Sequence, residues 1–241
     1  MNEYQNQFKD LSFVGKDKTL VSTESRKFLL NVYNWMAMGL ALTAVIAYGV
    51  STSETLLRTI FSNPILFWGI IILQFGVVIG LSAAINKMPV VLAIGAFFLY
   101  AALTGLTLSS IFVIYTSSSI ASTFFVCAMM FGSVSVFGYI TKMDLSGIGT
   151  FMFMGLIGLI IASVVNIFLK SSMLYWIISY AGVVIFVGLT AWDTQKLKRM
   201  SQEVSFDSDQ GKKIAVLGAL TLYLDFINMF LFLLRIMGSR K

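Results

Sequence analysis

Seven long apolar stretches separated by short polar ones dominate the chain, at about residues 29 to 50, 65 to 85, 90 to 115, 120 to 140, 148 to 169, 174 to 195 and 214 to 237. Each is about 20 residues or longer, the length an α-helix needs to cross a hydrocarbon layer of about 30 Å. The runs are continuous instead of alternating with period two, which favours helices over a closed β-barrel. The pattern predicts an all-α membrane protein, a bundle of seven transmembrane helices. Residues 1 to 28 are polar and charged, too acidic in places for a signal-peptide n-region, and no small-residue cleavage site follows the first span. Two parts are therefore expected: a polar leader, 1–28, and one seven-helix membrane domain, 29–241. Both prolines stand where helices should begin, Asn63-Pro64 before the second span and Met88-Pro89 before the third. One long connection is expected, "KLKRMSQEVSFDSDQGKK" at 196–213. No internal repeat is visible, and an odd number of spans argues against a simple two-fold transporter.

Composition agrees with this pattern. Of the residues, 58% are hydrophobic and 12% charged, against about 25% charged in soluble domains; the mean hydropathy is +0.87. Twelve of the 17 Lys and Arg residues fall in the leader and in the connections after spans two, four and six. That asymmetry predicts a cytoplasmic N-terminus. Seven crossings then put the C-terminus outside, where Arg240 and Lys241 are unexpectedly basic, so a re-entrant last segment is the alternative. The net charge of +6 sits at span ends, so nucleic acid is not an expected partner. Histidine is absent and Cys127 is the only cysteine. These two facts exclude Ser-His-Asp and Cys-His catalysis, an intramolecular disulfide and a His/Cys zinc site. Carboxylates must carry any ionisable chemistry.

Two carboxylates stand out. In "LGALTLYLDFINMFLFLLRIMG", 217–238, Asp225 lies about 11 residues, or about 16 Å, into the last span. An ionised Asp at a helix centre costs roughly 2.5 to 3.5 kcal/mol on insertion scales and is rarely kept without a partner or a task. Thr221 and Asn228 share its helix face, whereas Phe226, Leu231 and Leu234 point elsewhere, which predicts one inward polar stripe. Asp193, in "GLTAWDTQKLKRM", lies near the end of the sixth span, where a boundary pair with Lys196 at i+3 is the simpler reading. If spans six and seven bring the aspartates together, the pair should share a proton near neutral pH and titrate as a unit. Deprotonated, it offers up to four hard oxygens to Ca²⁺, which takes six to eight, so binding would be weak and transient. Gln74 and Asn166 are expected as interhelical hydrogen-bond glue, and Arg235 as a snorkelling boundary residue. The hydroxyls of "TGLTLSS", 104–110, should bond within their own helix, and the many glycines, Gly76-x-x-x-Gly80 among them, should mark close helix packing.

"AWDTQKLKRM" followed by "LGALTLYLDFINMFLFLLRIMG" resembles the closing signature of the Bax inhibitor-1 family, in particular its bacterial YccA-like branch. The resemblance implies a bundle with the last helix at its centre and a pH-sensitive calcium leak controlled by paired aspartates, which fall on Asp193 and Asp225. It also implies a basic latch near the end of the second helix. That stretch reads "GLSAAINKMP" here, with Asn86 before Lys87, so the latch is Lys87 or absent, and Gln74 stands where relatives carry an acidic residue. The expected function is a pH-sensitive calcium-permeable leak channel or exchanger of the bacterial plasma (inner) membrane, with calcium and protons as partners and no cofactor. The alternative is an interaction protein that modulates a membrane-bound protease through the leader. An enzyme is not expected: intramembrane aspartyl proteases pair Tyr-Asp with Gly-x-Gly-Asp, whereas Trp192 and Leu224 precede the aspartates here. A retinal protein is excluded too, because no lysine lies mid-span.

Overall fold

The computed structural model describes residues 2–205 and 207–241, with side chains from residue 24 onward. The leader thus lies largely outside the described side chains. Among the described residues there are nine helices and no strands, only an isolated antiparallel bridge between Tyr115 and Arg240. Helix α1 is Asn2–Ser51, and its membrane-length apolar part is Glu24–Ser51. A short helix, α2 (Glu54–Phe61), follows; hydropathy alone passed over it because eight residues are too few to span. Ser53 caps it, accepting from the Leu56 N–H at 3.4 Å. Helix α3 (Pro64–Ala84) starts at its proline, and the Asn63 side-chain oxygen accepts from the N–H groups of Ile65 and Leu66 at 3.1 and 3.2 Å. Helices α4 (Val90–Leu108) and α5 (Ile111–Ile114) together form the third span. Then come α6 (Ser117–Ile140), α7 (Ser146–Leu169), α8 (Ser172–Glu203) and α9 (Asp209–Met237).

The long polar connection is shorter than expected. Helix α8 runs on to Glu203 and α9 begins at Asp209, which leaves 204–208 between them. Its basic residues find partners that let the helix continue. The Lys196 ammonium lies over the Trp192 ring at 5.2 Å, and the Lys198 Nζ donates to the Tyr139 carbonyl at 2.6 Å. Leu197 is buried in a notch over Gly218 of α9. The last helix is also unbroken: its 29 residues span about 43 Å, enough to cross, so nothing in its backbone suggests re-entry.

Helix α9 packs against α1, α4, α6 and α8, and 61% of its most apolar window lies inside the protein, against 11% for α3 and 6% for α7. Large apolar side chains on α3 and α7, such as Ile65, Phe75, Phe151 and Phe168, are exposed. They supply the lipid-facing surface of an integral membrane protein. Glycines divide along the same line. Phe232 fills the space above Gly182, Met152 that above Gly188, and Gly138 meets the backbone of Ala191. By contrast, Gly76, Gly80, Gly95, Gly132 and Gly158 have open space where a Cβ would stand. The Gly76-x-x-x-Gly80 motif is therefore not a packing contact, because its helix is peripheral.

Candidate functional site: a buried carboxyl pair

Five consecutive residues of α8 reach five different partners. Ala191 lies against Gly138 of α6, and Trp192 fills the space above Gly149 of α7. The Asp193 carboxyl is buried beside that of Asp225 on α9. Thr194 Oγ1 and Tyr33 OH of α1 are 3.3 Å apart. Gln195 clamps the α6–α7 connection: its Oε1 accepts from Leu145 N–H at 2.9 Å, and its Nε2 donates to the Met143 carbonyl at 2.7 Å. Successive helix residues point about 100° apart, so a helix surrounded at this level must satisfy every position. That is why A-W-D-T-Q reads as a block.

The facing block on α9 is constrained in the same way. Tyr223 is fully buried, its hydroxyl 2.6 Å from Thr43 Oγ1 of α1, which in turn donates to the Ala101 carbonyl of α4 at 2.8 Å. Phe226 packs on Phe131 and Phe124 of α6. The Cys127 Sγ lies 3.7 Å from the Phe226 carbonyl. Between these contacts, Asp225 faces α8. Asp193 and Asp225 are 7% and 5% exposed, and the Asp225 Oδ2 has no hydrogen-bond partner. Two buried hydroxyls on α6, Thr123 and Ser135, are likewise without partners.

Several sequence expectations change here. The polar stripe on α9 is not the inward face: Phe226 and Leu234 are buried, while Thr221 and Asn228 are only partly so. Both of those side chains donate to their own helix, at Leu217 and Leu224 (3.1 and 2.8 Å). A helix packed by four neighbours has no polar face to spare. Lys196 forms no ion pair with Asp193: its ammonium lies over the Trp192 ring, and only its charge acts on the Asp193 carboxyl. Gln74 donates to Thr107 Oγ1 at 3.1 Å and joins α3 to α4, away from the aspartates. Lys87 is exposed just beyond α3 and is in no ion pair; among the described residues those are Lys27–Glu24, Arg58–Glu54 and Arg199–Asp144. The Asn86 carbonyl instead accepts from Lys213 Nζ at 3.4 Å. Lys213 is 12 residues before Asp225, roughly 18 Å along the helix, so its ammonium is held away from the pair.

The sequence reading passed over the clamp around Gln195. Arg199 Nη2 donates to Gln195 Oε1 at 2.9 Å and to Asp144 Oδ1 at 2.7 Å. The Arg199 guanidinium holds the Asp144 carboxyl well below the usual carboxylate range, helped by the Ser146 hydroxyl and N–H. A basic run four residues long gave no hint that one arginine turns back to a loop 55 residues earlier. Among the described residues no cluster of three or more Asp, Glu, His or Cys side chains exists. Among the described residues, the acidic groups of the site are thus the two carboxyls.

A family model described as "Inhibitor of apoptosis-promoting Bax1" matches residues 25–241. The chain is 53% identical over 215 residues to the inner membrane protein YbhL of Escherichia coli (strain K12), covering 89% of this chain and 92% of that one. It is 48% identical over 215 residues to an uncharacterized protein of Borreliella burgdorferi, at 89% and 93% coverage. It is also 43% identical over 235 residues to uncharacterized protein RP147 of Rickettsia prowazekii, at 97% and 98%. The match takes in the whole membrane domain, both blocks of the carboxyl pair included, and the chain belongs to the Bax inhibitor-1 family.

Proposed function

We propose that this protein is a pH-sensitive, calcium-permeable leak or exchanger of a bacterial inner membrane, with the Asp193/Asp225 pair as its proton sensor. The single observation that carries this reading is the burial of two neighbouring carboxyls, one from α8 and one from α9, at the contact between those helices. Ionised carboxylates only accept hydrogen bonds, so a bond between them requires one shared proton. Losing that proton places two negative charges together in a poorly solvated interface. The interface must then open, hydrate or admit a cation. Ca²⁺ suits such hard oxygens, and two carboxylates without a third acidic ligand hold it too weakly for storage. The unpartnered Asp225 Oδ2 is an acceptor already free for that role. The inner-membrane assignment follows the name of the E. coli relative, and the cytoplasmic N-terminus follows the positive-inside charge count.

The test is calcium uptake into proteoliposomes across pH, comparing wild type with Asp225→Asn and Asp193→Asn. Wild-type uptake should vary with pH, and either substitution should flatten that variation, since an amide can keep the hydrogen bond but cannot release the proton. No uptake above empty vesicles at any pH would remove the transport reading.

A further inference from the structure

At the end of the bundle opposite the α8–α9 connection, a cavity of about 510 Å³ opens between the ends of α7, α8 and α9. Three cationic residues line it, Lys170, Arg235 and Arg240, and no carboxylate side chain does. None of the three belongs to an ion pair among the described residues. Aromatic residues flank two of them. The Arg235 guanidinium lies over Tyr175 and Phe232, at 5.8 and 5.2 Å from the ring centroids. Arg240 is joined to Tyr115 by the isolated backbone bridge and lines the same space as Tyr175. Lys170 ends α7 with a left-handed backbone, φ 52°. The tail bearing Arg240 is tied down as well: Ser239 N–H donates to Ser119 Oγ at 2.9 Å, and Lys241 N–H to the Ile114 carbonyl at 3.0 Å.

We propose that this cavity is a binding site for a phosphate-bearing anion. Three like charges held around one space repel each other, and an anion between them removes that cost. Arg forks match phosphate oxygens in bidentate fashion. Ser171 and Ser172 add hydroxyls at the rim, at the start of the 32-residue helix α8, whose dipole favours negative charge there. The phosphate group has two natural sources, an anionic lipid headgroup and free phosphate. The surroundings suit a lipid, since Ile167, Phe168, Leu169 and Met173 beside the cavity are largely exposed apolar side chains against which acyl chains can lie. The site is independent of the carboxyl pair and does not rest on the calcium reading.

Native mass spectrometry of the full-length, delipidated protein tests it, with phosphatidylglycerol and phosphatidylcholine of identical tails as probes. Phosphatidylglycerol should be retained in preference, and Arg235→Gln or Arg240→Gln should weaken its retention about tenfold or more. Arg58→Gln, on the exposed α2, should not. Lys170→Asn is the fallback if an arginine variant does not fold, because Asn tolerates left-handed backbone. Competition with inorganic phosphate distinguishes the source. Retention unaffected by phosphate assigns the lipid headgroup, and displacement by millimolar phosphate assigns a phosphate site indifferent to tails. Equal retention of both lipids, with no phosphate bound, would overturn the proposal, as would retention unchanged by all three substitutions.

Discussion

Gly138→Ala is expected to destabilise the protein even though it adds a single methyl group and improves helix propensity. A Cβ at this position would fall inside contact distance of the Ala191 carbonyl oxygen and 3.1 Å from the Ala191 Cα, all of it backbone. Backbone of a packed helix cannot rotate aside as a side chain tip can, so α6 and α8 must part by about 1 Å to restore van der Waals separation. Overpacking of this kind costs about 1–3 kcal/mol, offset by about 0.5–1 kcal/mol from replacing a helical glycine. At the middle of both ranges the net loss is about 1 kcal/mol, or about 2–4 °C in melting temperature for a chain of this size. The matched control is Gly132→Ala on the same helix, where the added Cβ meets nothing. That variant should melt at or slightly above wild type. Thermal unfolding in one detergent, with both variants side by side, is the assay. Because Ala191 is two residues before Asp193, Gly138→Ala should also disturb the carboxyl pair and blunt the pH response of calcium uptake. Identical melting of the two variants would refute the close crossing of α6 and α8.

Two further predictions concern the hydrogen bonds around the site. Tyr223→Phe removes a hydroxyl but keeps the ring against Phe97 and Tyr100, and should cost about 0.5–1.5 kcal/mol. Thr43→Val should cost more, because it leaves the buried Tyr223 hydroxyl without its Thr43 partner; equal or higher stability of Thr43→Val would contradict the bond. Asp144 should play no part in pH sensing. Its folded-state value is depressed by Arg199, so the stabilisation it gives is complete above about pH 4 and is lost only as pH falls through the depressed value. Asp144→Asn should therefore leave the shape of the uptake profile between about pH 5 and 8 unchanged. A shifted profile would move the sensor to the α6–α7 connection.

The membrane class, the number of spans and the two aspartates could be read from the chain because lipid imposes a one-dimensional rule: length and apolarity decide what crosses. Proline and Asn63 likewise marked the start of α3 through local chemistry. What could not be read depends on neighbours. The extension of α8 to Glu203 needs Trp192, Tyr139 and Gly218 to receive Lys196, Lys198 and Leu197, three contacts with no signature in the run itself. The polar stripe on α9 failed for the same reason, since helical periodicity locates one inward face only when one face is inward. Glycine spacing was equally ambiguous: Gly76 and Gly80 have the packing motif on a peripheral helix, whereas Gly138 stands alone and makes the tightest backbone contact named here. The site itself was half legible. Asp225 announced itself by depth, whereas Asp193 was joined to it only by the family resemblance, since its own spacing favoured a pair with Lys196.

Infrared difference spectroscopy across pH measures directly whether Asp193 and Asp225 hold one proton between them, as proposed. The carbonyl stretch of a protonated carboxylic acid should appear as one pH-sensitive band in wild type, and either Asp193→Asn or Asp225→Asn should shift the pH at which it titrates. A band whose titration is unchanged by both substitutions, or two bands that titrate independently, would contradict a shared proton.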